Sequence, residues 1–443
     1  MQGKNVAIIG FGQEGISAAN FLGRNNNILI YDDKNKKQID KELFGELKVE
    51  ATLNFGNALK EQVDVIVRSP GVRPDHPQIK KLVHSGAKLT SPTNIFFKKC
   101  PAQIIGVTGT KGKGTTSALI YKMLETQNKD LFLAGNIGTP MLNILPQLTP
   151  DSLVVLELSS FQLMDLKKSP HIAVILMITS EHLDWHKDQK EYINAKFSAV
   201  NFQKKKNFAI INKDFEISKS FSTKTPAKVY YFSTKNETNG VYMSGNKIIS
   251  EINGREEITG TDDVTLPGRH NLQNVAAATA VAKILNIKNS NIAKVLKIFK
   301  GLPHRLQLVR EVDGVKYYND SFSTTPETTI AAIESFNAPK ILILGGSWKN
   351  SNFKNLGRTI KNSKSTKAII LIGEQSQIIK EAIGAVTIPI IEGASTMAQI
   401  VAEAQNIAKR GDLVILSPAC ASFDMFKNYE DRGEQFKKYV LSL

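Results

Sequence analysis

The stretch IIGVTGTKGKGTT, residues 104–116, decides the fold class of this chain. It begins as an apolar strand, continues as a glycine loop that contains Lys113, and leads into a helix at residues 117–120. Glycines allow backbone N–H groups to approach phosphate oxygens, and the N-terminus of a helix favours an anion. The order of strand, glycine loop and helix therefore predicts a cradle for a nucleoside triphosphate, in which Lys113 reaches the terminal phosphates.

This loop departs from the standard phosphate loop, in which serine or threonine follows the lysine. Gly114 follows Lys113 here, and a glycine offers no hydroxyl group to Mg²⁺. Thr115, Thr116 or a water molecule is left to fill that position. An ordinary glycine turn between a strand and a helix is the alternative interpretation of the same stretch.

Length and cysteine content limit the class of protein. A chain of 443 residues predicts roughly two to four domains. Its start runs directly into a strand, and no apolar segment reaches the ~18 residues of a membrane span, so we expect neither a signal peptide nor a membrane helix. Cys100 and Cys420 are too few for a disulfide framework or a metal cluster, which favours a reducing cytoplasm.

The net charge of +16 has two interpretations. A nucleic-acid binder or an enzyme with highly anionic substrates would carry such a charge. The lysines are scattered along the chain, however, rather than gathered into one basic block with interleaved aromatic residues. A lysine- and asparagine-rich genome therefore explains the charge better than nucleic-acid binding does.

Predicted strands and helices alternate along the chain and form three blocks, which indicates an α/β fold with doubly wound sheets. We expect three domains, over residues 1–92, 93–301 and 302–443. The predicted strands that define them cover residues 6–9, 28–31, 63–67, 153–157, 173–176, 341–344, 368–372 and 413–416. Ligands of such folds bind at the carboxyl ends of the strands.

A second glycine pattern, Gly10-x-Gly12-x-x-Gly15, follows the first strand and precedes a predicted helix at residues 16–22. With Asp32 after the next strand, it fits a dinucleotide fingerprint. Alone it would suggest NAD. Because a separate triphosphate loop lies downstream, a nucleotide-linked substrate held by its diphosphate fits better than hydride transfer.

Polar residues near the ends of the central strands are candidates for chemistry. Glu157 follows an apolar strand beside the phosphate loop, where a carboxylate would hold Mg²⁺, although a plain strand-end acid is the alternative. His182 is expected at a strand end between acidic residues, and it is either a ligand or an ordinary hydrogen-bonded histidine. Asn136 is expected to serve a turn, and Lys196 to be solvated or paired with phosphate.

Together these motifs resemble the ATP-dependent Mur ligases of peptidoglycan synthesis along nearly the whole chain. The resemblance is carried by the phosphate loop, Glu157, His182, Lys196, Asn274 and the stretches GNIG (135–138), ELSSFQ (157–162), GRHN (268–271), LPHR (302–305) and SPACASFD (417–424). The last stretch, with residues 427–433, is similar to the members that add D-glutamate.

The resemblance implies a reaction and an architecture. ATP would phosphorylate the carboxylate of UDP-N-acetylmuramoyl-L-alanine, and the amine of D-glutamate would attack the acyl phosphate to give an amide, ADP and phosphate. The implied domains are an N-terminal Rossmann-like UDP-binding domain, a central P-loop-type ATPase domain and a C-terminal Rossmann-like domain for the amino acid. A cytoplasmic monomer without nucleic-acid or membrane partners is implied as well.

The resemblance also implies site residues by position in this sequence. The implied catalytic residues are Lys113, Asn136, Glu157, His182 and Lys196. The implied ATP contacts are Gly109, Thr110, Lys111, Gly112, Lys113, Gly114, Thr115, Thr116, Asn274, Arg305 and Asp320. Those for the UDP substrate are Gly12, Gln13, Glu14, Asp32 and Gly71, and those for D-glutamate are Thr324, Lys349, Ser422 and Tyr429. Two Mg²⁺ ions would be held by Glu157, His182, Thr115 and Lys196, the last as a carbamate formed with CO₂.

Departures from the family pattern leave alternatives open. Phe322 stands where many members have lysine, Met177 replaces a commonly polar residue, and Gly114 removes a hydroxyl. A ligase of the same superfamily with a different acceptor amino acid, or acting on a folate, is one alternative. A nucleotide-binding relative that has lost turnover is another.

Overall fold

The structure is a computed structural model that describes residues 2–39, 41–57, 59, 61–136, 138–179, 181–182, 185–268, 270–347 and 351–443. The chain divides into two compact units, residues 1–264 with 272–297, and residues 265–271 with 298–443. The first unit contains two sheets and the second contains a third, as far as the described residues show. The domain boundaries that we predict at residues 92 and 301 stay predictions.

The first sheet is parallel, with the strand order β3-β2-β1-β4-β5. Its elements are β1 (Asn5–Ile9), α1 (Gln13–Leu22), β2 (Asn27–Asp32), α2 (Lys41–Glu46), β3 (Thr52–Phe55), β4 (Val65–Arg68), α3 (Pro77–His84) and β5 (Lys88–Thr90). The central strand β1 has the apolar sequence VAII after Asn5, and these residues are buried, as a strand covered on both faces requires.

Two element bounds in this sheet differ from the prediction. Helix α1 begins at Gln13 rather than Ile16, because Gly12 adopts an extended conformation and caps the helix. Strand β4 begins at Val65 rather than Val63. Asp64, just before it, accepts a hydrogen bond from the backbone N–H of Asn5 at 2.9 Å, so its side chain anchors the strand entry.

The second sheet has the order β14-β13-β12-β11-β10-β9-β6-β8-β7. Its elements, preceded by α4 (Pro92–Lys99), are β6 (Gln103–Thr108), α5 (Lys113–Glu125), β7 (Leu131–Gly135), α6 (Met141–Ile144), β8 (Leu153–Glu157), α7 (Ser160–Leu163), β9 (Ile172–Ile175), α8 (Gln189–Phe197), β10 (Phe208–Asn212), α9 (Glu216–Lys219), β11 (Lys228–Ser233), β12 (Val241–Ser244), β13 (Lys247–Ser250), β14 (Glu256–Gly260), α10 (Asn271–Ile284) and α11 (Asn289–Ile298). The strands from β7 to β12 are parallel, whereas β13 and β14 add antiparallel pairs at one edge.

The strand order of this sheet positions the phosphate loop. Strand β6 lies between β8 and β9, and Gly135 of β7 is in register with Glu157 of β8. Because these strands are parallel, their carboxyl ends meet at one edge. The loops that carry the predicted phosphate, metal and turn residues therefore start from the same edge.

The third sheet has the order β15-β16-β20-β17-β18-β19. Its elements are β15 (Gln307–Val312), β16 (Val315–Asn319), α12 (Pro326–Glu334), β17 (Lys340–Gly345), α13 (Lys354–Asn362), β18 (Thr366–Ile372), α14 (Ser376–Ile383), β19 (Ile390–Ile391), α15 (Met397–Ile407), β20 (Leu413–Leu416) and α16 (Tyr429–Leu441). The predicted strand at residues 413–416 is confirmed, and those at 341–344 and 368–372 lie within β17 and β18. The α/β class predicted from the sequence is correct.

Candidate active site

The phosphate loop connects β6 to α5 and is closed against α10. Gly112 caps α5 with a φ of 86°, a left-handed conformation that favours glycine. A Cβ atom at Gly112 would collide with Oδ1 of Asn274, which also accepts a hydrogen bond from the Thr116 hydroxyl at 3.2 Å. The structure therefore brings the predicted ATP residue Asn274 against the loop.

Lys113 folds back over the loop that precedes it. Its Nζ donates to the carbonyl oxygens of Gly109 at 3.2 Å and Thr110 at 3.0 Å. Its side chain is thus placed above the loop rather than in bulk solvent, as expected for a lysine that reaches phosphate. Lys111 instead forms an ion pair with Glu181 at 2.8 Å. Burial alone would raise the pKa of Glu181, but Lys111, Lys113 and His182 together outweigh it and the pKa is lowered.

Glu157 ends β8 and is 2% exposed. Its Oε1 accepts a hydrogen bond from Nδ2 of Asn136 at 2.9 Å, and its backbone carbonyl accepts one from the Asn136 N–H at 3.0 Å. Its Oε2 is buried and has no hydrogen-bond partner among the described residues. A buried carboxylate oxygen without a partner is costly, and a bound cation is one explanation for such an atom. The expectation of a turn role for Asn136 is incomplete, because its side chain also bonds the Glu157 carboxylate.

Lys196 lies near the end of α8 and is 1% exposed, so the interpretation as a solvated lysine is wrong. Its Nζ donates to the carbonyl oxygen of Gly109 at 3.0 Å and lies 3.4 Å from the Thr108 hydroxyl. Burial and then the charge of Lys113 lower its pKa well below the ordinary value, against the carboxylates of Glu181 and Glu157. The amine beside the phosphate loop is therefore easily deprotonated.

His182 lies in the segment between β9 and α8, not at a strand end as expected, because β9 ends at Ile175. Its φ of 58° is left-handed, and its imidazole is half-exposed and packs against Phe161, with 4.9 Å between ring centroids. No group of three or more His, Cys, Asp or Glu side chains is arranged to hold a metal in the part of the chain that the structure describes. The predicted donor set has only Glu157 and His182 of these types and depends on Lys196 and Thr115 for the rest.

The predicted UDP residues surround the start of α1 and the ends of β2 and β4. Gly12 and Gln13 form the helix start, and Asp32 accepts hydrogen bonds from the backbone N–H groups of Phe11 at 2.8 Å and Lys34 at 3.0 Å. The carbonyl oxygen of Gly71 accepts a hydrogen bond from Nε1 of Trp185 at 2.8 Å. The structure thus gathers the glycine turn and Asp32, and it links Gly71 to the central sheet's loops.

Glu14 connects the first sheet to the second. Its Oε1 accepts a hydrogen bond from Nε2 of Gln162 at 3.1 Å, and its Oε2 is buried with no hydrogen-bond partner among the described residues. Burial raises the pKa of Glu14 to about 7, although the Gln162 hydrogen bond opposes this shift. The carboxyl group is therefore partly protonated near neutral pH.

The second unit holds the remaining predicted residues. Asp320 is 4% exposed, and burial raises its pKa to about 6 although the hydroxyls of Ser323 and Ser417 stabilise the carboxylate. The guanidinium of Arg305 lies 3.9 Å from the ring centroid of Phe322, and the same ring packs against the ring of Tyr429, with 5.1 Å between centroids. Phe322, the departure from the family pattern, thus lies between two predicted site residues.

The predicted D-glutamate residues are only partly described. Thr324 is half-buried and donates its N–H to the Phe322 carbonyl at 2.9 Å, Ser422 is 1% exposed, and Tyr429 begins α16. Lys349 lies outside the described residues. Their assignment to a glutamate pocket stays a prediction, as do the other site assignments.

Several polar residues at this site are missed by the sequence analysis. Arg68 is fully buried and forms an ion pair with Asp165 at 3.0 Å, while Arg73 pairs with Glu191 at 3.3 Å. A charged residue that ends an apolar strand, as in VIVR at residues 65–68, is a signal that could have drawn attention to Arg68. Arg73 and Glu191 carry no comparable local signal.

A phosphate loop beside a buried carboxylate and a buried lysine is typical of enzymes that use a nucleoside triphosphate. The chain matches three family profiles: Mur ligase MurD-like, N-terminal domain, over residues 4–91; Mur ligase middle domain, over residues 107–282; and Mur ligase, glutamate ligase domain, over residues 304–420. The chain belongs to the Mur ligase family.

Full-length relatives agree with this membership. The chain is 39% identical to a UDP-N-acetylmuramoylalanine--D-glutamate ligase of Ruminiclostridium cellulolyticum, over 100% of this chain and 97% of that protein. It is 38% identical to a protein of the same name from Clostridioides difficile, over 100% of this chain and 99% of the relative.

Solved structures show the same fold. A UDP-N-acetylmuramate-alanine ligase from Thermotoga maritima aligns with a TM-score of 0.63 at 13% identity and covers 99% of each chain. MurF from Acinetobacter baumannii aligns with a TM-score of 0.61 at 16% identity, over 98% of this chain and 93% of that one. Among the described residues, no helix combines the length and apolar character needed to cross a membrane.

Proposed function

We propose that this protein joins D-glutamate to UDP-N-acetylmuramoyl-L-alanine in the cytoplasm, at the expense of ATP. The terminal carboxylate of the UDP-linked substrate attacks the γ-phosphorus of ATP, so that an acyl phosphate forms and ADP leaves. The amine of D-glutamate then attacks the acyl carbon, and the amide forms as phosphate leaves and the amine loses a proton. Relatives that carry this activity in their names match over the full length of the chain.

The observation that carries the proposal is the grouping of Lys113, Glu157 and Lys196 around one loop. Lys113 and Lys196 both donate to the carbonyl oxygen of Gly109, at 3.2 and 3.0 Å. Glu157 supplies a buried carboxylate oxygen without a described hydrogen-bond partner. Lys113, together with a cation held by Glu157, would offset the repulsion between a triphosphate and a carboxylate as they approach each other.

Mg²⁺ fits the residues that are present. Two Mg²⁺ ions would be held by Glu157, His182, Thr115 and a carbamylated Lys196, and oxygen donors are the ligands that Mg²⁺ prefers. When bound, Mg²⁺ would offset the charge of the phosphates during phosphoryl transfer. Asn136 orients the Glu157 carboxylate by a hydrogen bond of 2.9 Å.

Lys196 is suited to carry a carbamate. A neutral amine is needed to attack the carbon of CO₂, and the pKa of Lys196 is well below its ordinary value because the side chain is buried. Attack forms an N–C bond, and the nitrogen then loses a proton to solvent, which leaves an anionic carbamate. The change turns an amine, which has no oxygen to offer to Mg²⁺, into an anionic oxygen donor.

Substrate contacts are proposed for residues in both units. In the first unit, the UDP group contacts Gly12, Gln13, Glu14, Asp32 and Gly71. The ATP contacts include the phosphate loop and Asn274, together with Arg305 and Asp320 of the second unit. D-glutamate contacts Thr324, Lys349, Ser422 and Tyr429. We retain the proposed domains over residues 1–92, 93–301 and 302–443.

Phosphate release tests the reaction. Purified protein is given ATP, Mg²⁺ and UDP-N-acetylmuramoyl-L-alanine, with D-glutamate, L-glutamate, L-lysine or no amino acid. We expect release above background only with D-glutamate. Release with another amino acid would reject the acceptor and keep the ligase chemistry, and no release with any of them would reject the function.

The carbamate has its own test. Protein incubated with ¹³C-labelled bicarbonate is expected to show a carbamate carbonyl signal in its ¹³C spectrum, and Lys196→Met is expected to lack it. A signal of equal size in Lys196→Met would place the modification elsewhere and reject the assignment.

A further inference from the structure

A group of polar contacts joins the segment after β4 to the segment before α8. We call Gly71, Arg73, Asp75, Trp185 and Glu191 the Arg73 cluster. Gly71, Arg73 and Asp75 belong to the first sheet's loop that carries a proposed UDP contact. Trp185 and Glu191 lie in the central part of the chain, between His182 and Lys196.

Arg73 makes the largest number of these contacts. Its guanidinium donates to both oxygens of Asp75, at 2.8 and 3.2 Å, and to both oxygens of Glu191, at 3.3 Å each. It also donates to the backbone carbonyl of Trp185 and lies 5.1 Å from the Trp185 ring centroid. The two carboxylates raise the pKa of Arg73. In turn, the guanidinium lowers the pKa of Asp75, and it lowers the pKa of Glu191 against the opposing effect of burial.

Trp185 connects the cluster to the proposed site in two directions. Its Nε1 donates to the carbonyl of Gly71 at 2.8 Å, which ties it to the UDP side. Its ring packs against Phe161, with 4.6 Å between centroids, and Phe161 packs in turn against His182 at 4.9 Å. One side chain therefore touches the UDP-side loop and the aromatic support of His182.

Glu191 connects the cluster to Lys196 through α8. It lies in the first turn of this helix, and Lys196 lies five residues further on, about 7.5 Å along the axis. The Oε2 atom of Glu191 also accepts a hydrogen bond from the Lys187 N–H at 2.8 Å. A helix moves as a rigid element, so an anchor on its first turn sets the direction of Lys196.

Simple surface pairing does not account for this arrangement. The side chains of Arg73 and Glu191 are 25% and 19% exposed, and the guanidinium bonds to two carboxylates and a carbonyl at once. Exposed ion pairs contribute little and seldom hold one geometry, whereas a fork of this kind fixes the orientation of its partners.

We propose that Arg73 is a positioning residue, which couples the UDP-side loop to the segment that holds His182 and Lys196. This inference rests on the proposed function. When UDP binds beside Gly71 it fixes the loop, and the Arg73 cluster passes this restraint to α8. By reciprocity, ordering of the metal and carbamate groups strengthens UDP binding.

Hydrogen exchange tests the coupling without catalysis. UDP alone is added to the full-length protein, and amide exchange is followed in residues 185–197. We expect at least about a threefold slowing in the native sequence and none in Arg73→Gln. Arg255→Gln is the matched control, because the Arg255 side chain is 60% exposed and its ion pairs in the same unit are long, at 3.8 Å. The control is expected to show the native response.

Kinetics supply a second measurement. We expect Arg73→Gln to lower kcat about 10- to 100-fold and to raise the Mg²⁺ concentration for half-maximal rate, with KM for ATP within twofold of the native value. Arg73→Lys should recover only part of kcat, because an ammonium group cannot bond both carboxylates as a fork.

Opposite results overturn the inference. One such result is that UDP slows amide exchange in residues 185–197 equally in native protein and in Arg73→Gln, or in neither. Another is that Arg73→Gln keeps the native Mg²⁺ response. If native protein releases no phosphate, the proposed function fails, and the exchange measurement still decides whether the UDP-side loop and α8 are coupled.

Discussion

The side-chain amide of Asn136 donates to Oε1 of Glu157 at 2.9 Å and leaves Oε2 of that carboxylate buried without a described hydrogen-bond partner. The two residues meet because β7 and β8 are parallel neighbours, with Gly135 opposite Glu157. The amide fixes the orientation of the carboxylate, so that one oxygen is used by the protein and the other keeps no described partner, as the proposed metal-binding role of Glu157 requires. Support of this kind from a neighbouring side chain sets how well a metal ligand works.

Loss of the Asn136 amide should weaken Mg²⁺ use without unfolding the protein. We expect Asn136→Ala to lower kcat about 10- to 100-fold and to raise the Mg²⁺ concentration for half-maximal rate. Asn128→Ala is the control, because the side chain of Asn128 bonds the nearby Leu124 carbonyl at 2.9 Å and, among the described residues, no other group. A native Mg²⁺ response in Asn136→Ala would contradict the role of Asn136.

Removal of the Lys196 amine should abolish most activity, because no carbamate can form. We expect Lys196→Ala to lose about 100-fold or more in kcat, and added formate or acetate to restore part of it by supplying carboxylate oxygens. Lys190→Ala, an exposed lysine of the same helix, should retain native activity. Full activity of Lys196→Ala without added carboxylate would refute the assignment.

Glu14 should make stability depend on pH in a defined window. Its pKa is about 7 in the folded protein, above the ordinary carboxyl value of about 4.3, so the folded state binds the extra proton between these values. The stabilisation from that proton is complete below the ordinary value and is lost as the pH rises through about 7.

The corresponding measurement is urea unfolding of native protein and Glu14→Gln at pH 5 and pH 8. The variant has no proton to lose, so its free energy of unfolding relative to native should rise between these pH values by at most roughly 3 kcal/mol. Glu216→Gln, which removes a carboxylate that is 87% exposed, should show no such rise. A constant difference for Glu14→Gln would show that Glu14 titrates normally.

Phe322 should act through Arg305, whose guanidinium lies 3.9 Å from the centroid of its ring. An aromatic face attracts a cation by about 0.5–2 kcal/mol, so we expect Phe322→Leu to raise KM for ATP by roughly 2- to 30-fold. Phe322→Tyr keeps the face and should retain the native KM. Phe202→Leu, at a 48% exposed phenylalanine, is the control. Equal KM values in Phe322→Leu and native protein would show that the ring does not orient Arg305.

Local patterns allowed much of this site to be predicted. The phosphate loop could be predicted because glycine and lysine positions next to an apolar strand are a short-range signal. Glu157 could be predicted because it ends such a strand. The contacts between these elements depend on strand order instead. Gly112 shows the difference, since its turn is predictable but the approach of Asn274, far along the chain, is not.

Long-range pairs account for what could not be predicted. Arg73 and Glu191 are 118 residues apart in sequence, and Glu14 and Gln162 are 148 apart. Neither pair has a spacing or composition that marks it, because each arises only when two sheets pack together. The burial of Lys196 is of the same kind, since a lysine in a polar helix is typical of an exposed position.

The antiparallel strands at one edge of the central sheet have a consequence for solubility. Strand β14, with the sequence EEITG, ends the sheet and would otherwise offer its backbone to a strand of another molecule. Glu256 pairs with Lys283 at 2.9 Å and Glu257 with Lys247 at 2.7 Å, and the register shifts between Ile248 and Ile249 beneath them. Charge and irregular register together discourage edge-to-edge aggregation, so this extension protects a long sheet from pairing with the strands of another molecule.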